Sequence, residues 1–188
     1  DLYNLTVRDV ELAAITPEKI AAAYQTIKNH GDDANADKMI DLYQKLMDHE
    51  LIVAFAGHFS AGKSSMINAL LGKDMLPKSP IPTSANIVKV TSGKGTARVY
   101  FHEDPPVDYK EPYDLDVIRD YCMDKNSIQK IELSASEPIL PSHAALMDTP
   151  GIDAADDADR LITESSMHLA DFMFYVMDYN HVQSEVNL

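Results

Sequence analysis

A glycine-rich octapeptide, Gly57-His-Phe-Ser-Ala-Gly-Lys-Ser64, combines the residue types that a phosphate group needs. It matches the pattern G-x-x-x-x-G-K-[S/T] at every fixed position. Glycines let the backbone wrap so that its N–H groups point at phosphate oxygens. Lys63 would neutralise charge on the β- and γ-phosphates of a nucleotide, and the Ser64 hydroxyl would coordinate Mg²⁺. The octapeptide therefore predicts a nucleotide-binding loop.

Two other segments offer oxygen ligands for the same magnesium ion, although each alone is also typical of an ordinary turn or loop. Asp148 follows an apolar strand, where a carboxylate can hold Mg²⁺ directly or through water. Gly151 can offer its backbone N–H to a γ-phosphate without obstruction by a Cβ atom. Thr83 lies in a proline-rich loop, where its hydroxyl could ligate Mg²⁺ and its backbone could sense the γ-phosphate. Ser84 is the alternative residue for this role. We expect Ser64, Thr83 and Asp148 as the metal ligands.

The elements that must position these residues can be read from the apolar pattern. Residues 51–56 form a continuous apolar run, which is typical of a strand buried on both faces. Lys63–Leu71 then reads as a helix ending at Gly72, and residues 172–177 as a second fully apolar strand. Strands alternate with helices, which predicts an α/β domain of the P-loop NTPase type, with three layers and a mostly parallel sheet.

Further strands are predicted over residues 86–91 and 96–102 as one hairpin, and over 128–135 and 144–147 as another pair. Residues 103–112 are acidic and proline-rich, and residues 102–104 are predicted to be a surface loop. Helices are expected over residues 115–123 and 158–169.

The first fifty residues predict a separate helical hairpin. Thr16 is a plausible N-cap, Pro17 suits the first helical position, and Gly31 ends the first helix. The second helix has an apolar stripe formed by Met39, Tyr43, Leu46 and Met47. We therefore divide the chain into a hairpin at 1–50 and an α/β domain at 51–188, although such a hairpin could simply pack on the domain that follows it.

Composition limits the partners and the compartment. The net charge of −14 and the pI near 4.7 argue against binding to nucleic acid or directly to an anionic membrane. Cys122 is the single cysteine, so an internal disulfide is impossible and a cytoplasmic location is the simplest expectation. No stretch approaches the roughly 18 apolar residues that a membrane span needs.

With these motifs in place, the sequence resembles a dynamin-family GTPase over residues 51–188, in particular the bacterial dynamin-like proteins and, less closely, the mitofusins. The doubled serine Ser64-Ser65, the helix sequence that follows it and the Pro-Thr-Ser segment are the most similar parts. The resemblance rests on residues 57–65, 66–72, 81–86, 148–152 and 178–185.

The resemblance implies Mg²⁺-dependent GTP hydrolysis coupled to self-association through the nucleotide face, and membrane remodelling by regions absent from this chain. The protein would be cytoplasmic, peripheral to the membrane, with GTP and GDP as ligands and the hairpin as part of a neck bundle. Ser60, Lys63 and Thr83 would take part in catalysis. The expected nucleotide contacts are Gly57, His58, Phe59, Ser60, Ala61, Gly62, Lys63, Ser64, Ser65 and Gly151.

The sequence also departs from the family pattern. Phe59 stands where eukaryotic dynamins carry a glutamine that orients water, and Ile152 stands where Ras-like proteins carry theirs. Hydrolysis by a monomer should therefore be slow, and dimerisation, with a monovalent cation as a candidate cofactor, should accelerate it. The Asn/Thr-Lys-x-Asp motif that reads guanine does not occur, so the domain looks C-terminally truncated. A nucleotide-switched self-association module with little hydrolysis and a P-loop ATPase remain alternatives.

Overall fold

Two compact units, Asp1–His49 and Glu50–Leu188, make up the chain in a computed structural model of the protein. The structure describes residues 15–58, 61–77, 86–124, 126–151 and 166–177. The first unit is helical, and the second is built on a single sheet.

The described part of the helical unit contains α1 (Pro17–Asn29) and α2 (Asp33–Asp48). The Thr16 hydroxyl accepts a hydrogen bond from the backbone N–H of Lys19, so it caps α1 as its side-chain type suggests. Asp32 caps α2 in the same way through the N–H of Asn35.

The apolar stripe of α2 is rotated from the predicted one. Met39, Leu42 and Leu46 are half-buried, whereas Tyr43 and Met47 are exposed. The half-buried residues follow spacings of three and four, which is the period of one helix face. The prediction was therefore right for Met39 and Leu46 and wrong for Tyr43 and Met47, which lie at the margin of that face.

The second unit forms one seven-stranded sheet in the order β4-β3-β5-β2-β6-β1-β7. Strand β1 pairs in parallel with β6 and β7, β2 pairs in parallel with β5, and the other pairs are antiparallel. The predicted α/β class is confirmed, with parallel strands around β1. The elements are β1 Leu51–Gly57, α3 Lys63–Leu71, β2 Ile87–Ser92, β3 Thr96–Phe101, β4 Val107–Lys110, α4 Leu115–Met123, β5 Ile128–Ala135, β6 Ala144–Asp148, a 3₁₀ turn Met167–Leu169 and β7 Phe172–Val176.

Apolar clusters cover both faces of the central strands. On one face, Ile67 of α3 and Ile118 of α4 pack with Val90, Ile131 and other buried residues of the sheet. On the other face, a smaller cluster of β1 and β6 residues packs against Leu169 and neighbouring residues. Burial on both faces explains why β1 reads as a continuous apolar run.

The predicted strand pairings were wrong, although the strands themselves exist. β2 and β3 do not form a hairpin, because β5 lies between them, parallel to β2 and antiparallel to β3. β5 and β6 are also not neighbours, because β2 separates them. A parallel β2–β5 pair needs a long crossover, and the segment containing α4 supplies it.

The acidic, proline-rich segment at 103–112, to which sequence reasoning assigned no strand, contains the edge strand β4. Pro105 and Pro106 precede the strand and Pro112 follows it, so the β4 ladder keeps its N–H donors. Asp108 of β4 lies opposite Arg98 of β3, and the carboxylate accepts two hydrogen bonds from the guanidinium, at 2.6 and 2.7 Å. This bidentate pair is a cross-strand contact that composition alone does not indicate.

Part of the predicted helix at 158–169 lies outside the described residues, and its described end is the 3₁₀ turn. Among the helices of the described ranges, none is long and apolar enough to cross a membrane.

Strand β7 lies at one edge of the described sheet with apolar side chains facing outward. Phe172 is 62% exposed and Phe174 57%, although the Phe174 ring also stacks on Phe55 of β1, with 5.5 Å between centroids. An apolar edge of this kind offers backbone groups for pairing with another chain.

We expect this 188-residue chain to self-associate through β7. Replacing Phe172 with Lys should weaken the association about tenfold, because a charge at the edge opposes strand pairing and a large apolar side chain is removed. Val107→Lys, at the opposite edge strand β4, is the matched control. Light scattering across a concentration series measures the effect. A wild-type chain that stays monomeric at high concentration would contradict the expectation.

Candidate functional site

The phosphate loop begins where β1 ends, at Gly57. This residue has φ of 141°, and a Cβ atom built there would lie 2.1 Å from the backbone oxygen of Val176 in β7. Such a distance is far inside van der Waals contact, so only glycine lets β1 and β7 approach this closely. The first glycine of the loop is therefore required by strand packing, whatever it contributes to phosphate binding.

The loop ends where α3 begins. Gly62 has φ of 89°, with no atom within 4 Å of the position of a Cβ, so here the backbone conformation alone favours glycine. Gly62 occupies the N-cap of α3, and a glycine has no side chain with which to cap the helix. The N-terminus of α3 thus presents backbone N–H groups and the positive end of the helix dipole, which favours an anion.

Lys63, the first residue of α3, is 7% exposed. Its ammonium group donates to the backbone oxygens of Gly57 and His58, both at 3.2 Å. These two carbonyls hold the cation against the loop instead of letting it extend into solvent. Lys63 is consequently in place to neutralise phosphate charge beside the helix N-terminus.

Ser64 and Asp148 are brought together from elements that are 84 residues apart in sequence. The Ser64 hydroxyl donates to Oδ2 of Asp148 at 2.5 Å, and the Asp148 side chain is fully buried. Asp148 is the last residue of β6 and lies in register with Phe55 of β1. A hydroxyl and a carboxylate are hard oxygen donors, the chemistry that Mg²⁺ prefers, so this pair suits the predicted metal.

Groups of three or more His, Cys, Asp or Glu side chains that could hold a metal ion are absent from the described ranges. Hydroxyls, water and the phosphates themselves are further ligands that Mg²⁺ commonly uses, and they would be available to a metal bound beside Asp148.

Thr149 shapes the site, although sequence reasoning assigned it no role. It is 1% exposed, and both its backbone N–H and its Oγ1 donate to the backbone oxygen of Phe55, at 3.2 and 2.9 Å. Gly151, two residues further on, is buried. The signal that could have revealed Thr149 is a hydroxyl placed immediately after a buried strand, where backbone groups lose their ladder partners.

Two buried asparagines anchor backbone near the loop. Asn68 of α3 accepts hydrogen bonds from the N–H groups of Met75 and Leu76, at 2.9 and 2.8 Å, and donates to the oxygen of Leu76 at 2.7 Å. Asn86, just before β2, donates to the oxygens of Tyr121 and Asp124 at the end of α4. Sequence reasoning assigned neither residue a role.

Burial is the main reason why the pKa of the Cys122 thiol is raised to about 12. The negative charge of Asp148 is the second reason. Cys122 therefore stays a neutral core residue at physiological pH.

Other residues expected in the site fall into two groups. His58 and Ala61 lie in the described part of the loop, where the N–H of Ala61 donates to the oxygen of His58, and Ser65 is exposed on the first turn of α3. Phe59, Ser60, Thr83, Ser84 and Ile152 lie outside the described residues.

Comparison with known proteins identifies the family. The profile of the Dynamin family, Dynamin_N, matches residues 53–188. The chain belongs to the dynamin family. Family members are GTPases, and the matched segment includes the phosphate loop, Asp148 and Gly151.

Curated relatives place this dynamin-family chain among bacterial proteins. It is 39% identical to Dynamin-like protein A of Bacillus subtilis over 170 residues, which is 90% of the chain but 14% of that protein. It is 29% identical to Dynamin-like protein 1 of Campylobacter jejuni, covering 72% of the chain and 24% of that protein. The dynamin-family chain thus spans a minor part of the relatives it matches.

Solved structures show the same fold. A chain from an oligomerised bacterial dynamin pair, described as providing a mechanism for long-range sensing and tethering of membranes, matches with a TM-score of 0.59 and 19% identity. The match covers 90% of this dynamin-family chain and 34% of the other.

The packing at Gly57 gives a stability prediction. Gly57→Ala should lower the free energy of unfolding by about 3 kcal/mol, because the new methyl group overlaps Val176 and the residue is held at positive φ. Gly72→Ala is the matched control: Gly72 also has positive φ, at 66°, but an added Cβ meets no atom within 4 Å, so only about 1 kcal/mol should be lost. Urea unfolding measures both. Equal losses would show that β7 does not impose the glycine.

Proposed function

We propose that this chain binds GTP with Mg²⁺ at the phosphate loop and contributes to its hydrolysis as part of the GTPase domain of a bacterial dynamin-like protein. The contact between Ser64 and Asp148 is the observation that carries the proposal. It supports the proposal because it brings together two of the proposed magnesium ligands, which are 84 residues apart in sequence, at a helix N-terminus whose N-cap is a glycine.

Each residue has a distinct role in this proposal. Lys63 neutralises charge on the β- and γ-phosphates, while Ser64 and Asp148 hold Mg²⁺, with Asp148 acting directly or through water. The backbone N–H of Gly151 faces the γ-phosphate. Bound Mg²⁺ supplies positive charge that stabilises the charge developing on the transferred phosphoryl group. Thr83 is proposed as the third metal ligand.

Hydrolysis is proposed to depend on self-association through the nucleotide face. Phe59 and Ile152 have apolar side chains, which cannot orient an attacking water molecule by hydrogen bonding. Dimerisation, with a monovalent cation as a candidate cofactor, would then supply the missing means of orienting water. GTP hydrolysis accelerated by dimerisation follows from this arrangement.

The proposed setting is a longer, cytoplasmic protein that acts at the membrane periphery. The net charge of −14 opposes direct contact with anionic lipid, so membrane remodelling is assigned to other regions of such a protein. The helical unit, α1 and α2, is proposed to belong to a neck bundle. The membrane-tethering role described for the structurally similar bacterial pair is consistent with this setting.

Nucleotide binding can be tested by titrating GTP, GDP and ATP in the presence of Mg²⁺. Lys63→Ala should weaken GTP binding by at least about tenfold, because a charge-assisted interaction with phosphate is lost. Lys94→Ala, in an exposed turn between β2 and β3, is the matched control and should bind like the wild type. Isothermal calorimetry measures the affinities. Tighter binding of ATP than of GTP would favour the ATPase alternative.

Turnover measured against protein concentration separates the GTPase from a self-association module. The specific rate of GTP hydrolysis should rise at least about tenfold from nanomolar to micromolar protein, because a dimer supplies the group that orients water. Ser64→Ala is expected to remove turnover at every concentration. Tight GTP binding and nucleotide-dependent dimerisation without turnover would instead identify a switch with little hydrolysis.

A further inference from the structure

Thr149 directly follows Asp148, a proposed metal ligand, at the point where the chain leaves β6. On its N-terminal side is Asp148, whose register partner Phe55 is the last residue of β1 to pair with β6. On its C-terminal side is Pro150, which has no backbone N–H to offer. Thr149 is therefore the last residue that can attach this exit from β6 to β1 by its own N–H before the turn begins.

The attachment is double. The backbone N–H and the hydroxyl of Thr149 donate to one acceptor, the oxygen of Phe55, which has two lone pairs. The backbone bond holds the peptide plane between Asp148 and Thr149 but still allows Thr149 to turn about that bond. A second bond from the side chain of the same residue fixes the direction in which the chain leaves the strand.

Asp148 shares a peptide plane with Thr149, so bonds that hold Thr149 in one orientation also restrain the Cα atom that carries the Asp148 carboxylate. We infer that Thr149 is a positioning residue for the metal site, whose paired hydrogen bonds to the Phe55 oxygen hold the Asp148 carboxylate against the Ser64 hydroxyl. The inference rests on the proposed function only where it concerns a bound metal. The positioning of the carboxylate does not depend on that function, because the 2.5 Å contact between Ser64 and Asp148 exists in the protein alone.

The Phe55 oxygen, which accepts both hydrogen bonds from Thr149, also relates Asp148 to the phosphate loop. Phe55 lies two residues before Gly57, where the phosphate loop begins. Through Thr149, the exit from β6 is aligned to the same strand that carries the loop. A shift of β1 would move both ligands together, which keeps the Ser64 and Asp148 oxygens at a constant separation.

The test compares three variants of this chain. Thr149→Val keeps the shape and removes the hydroxyl bond, while Thr149→Ser keeps the bond and removes a methyl group. Ser92→Ala is the control for a general loss of stability. The Ser92 hydroxyl likewise ties a strand end to backbone, accepting from the N–H of Leu140 at 2.7 Å, but it lies at the end of β2 remote from Asp148.

The first readout is the Mg²⁺ concentration that gives half-maximal binding of a fluorescent GTP analogue. Thr149→Val should raise this concentration about tenfold, as expected for loss of one buried hydrogen bond, and Thr149→Ser should restore it to within about twofold of the wild type. Ser92→Ala should leave it unchanged despite lower stability against urea. A wild-type Mg²⁺ requirement in Thr149→Val, or an equal rise in Ser92→Ala, would overturn the inference.

The second readout needs no nucleotide. In a crystal structure of Thr149→Val, the Ser64 Oγ to Asp148 Oδ2 distance should exceed about 3.5 Å, beyond hydrogen-bond range. An unchanged distance would show that Thr149 does not position the carboxylate. If the wild-type chain shows no Mg²⁺-dependent nucleotide binding, the proposed function fails, and this comparison of distances alone decides the positioning role.

Discussion

The parallel pairing of β6 with β1 is the constraint on which the site depends. It places Asp148 beside Phe55, close to the beginning of the phosphate loop, and so brings a carboxylate to the first turn of α3. A fully buried carboxylate is costly unless hydrogen bonds compensate for lost water. The Ser64 hydroxyl supplies such a bond, so the arrangement that suits a metal also lowers the cost of burying the acid in its absence.

Strand β7 acts on the same loop from the other side of β1. Its backbone approaches Gly57 so closely that no side chain fits, and Asp171, just before β7, exchanges two hydrogen bonds with the backbone of Ile52, at 2.8 and 2.9 Å. β1 is thus held by parallel neighbours on both edges, and the loop that follows it has a fixed point of departure. A rigid scaffold of this kind is what a phosphate-binding loop requires to keep its N–H groups aligned.

Sequence reasoning succeeded where local chemistry decides the structure. The bounds of α3 follow from Gly62 and Gly72, both of which adopt positive φ. The glycine-rich pattern between a strand and a helix is specific for a phosphate-binding loop. It failed for strand pairing, because alternation of apolar residues identifies a strand but not its neighbour. β5 enters between β2 and β3 only after α4 has crossed the sheet, and nothing near Thr96 or Ile128 encodes that insertion. The roles of Asn68 and Thr149 were missed for a related reason: their partners are backbone atoms that only the folded chain brings within reach.

The hydrogen-bonding capacity of Ser64 bears on how a metal would enter the site. A hydroxyl has one proton and two lone pairs, so Ser64 can keep donating to Asp148 while its oxygen faces a cation. Metal binding then needs little rearrangement of the contact between Ser64 and Asp148. Phe59 and Ile152, by contrast, have apolar side chains, which offer no hydrogen bond to an attacking water molecule. The proposed mechanism therefore separates nucleotide binding from hydrolysis. One chain is proposed to supply the residues for binding, whereas hydrolysis is proposed to require a polar group from a second protomer.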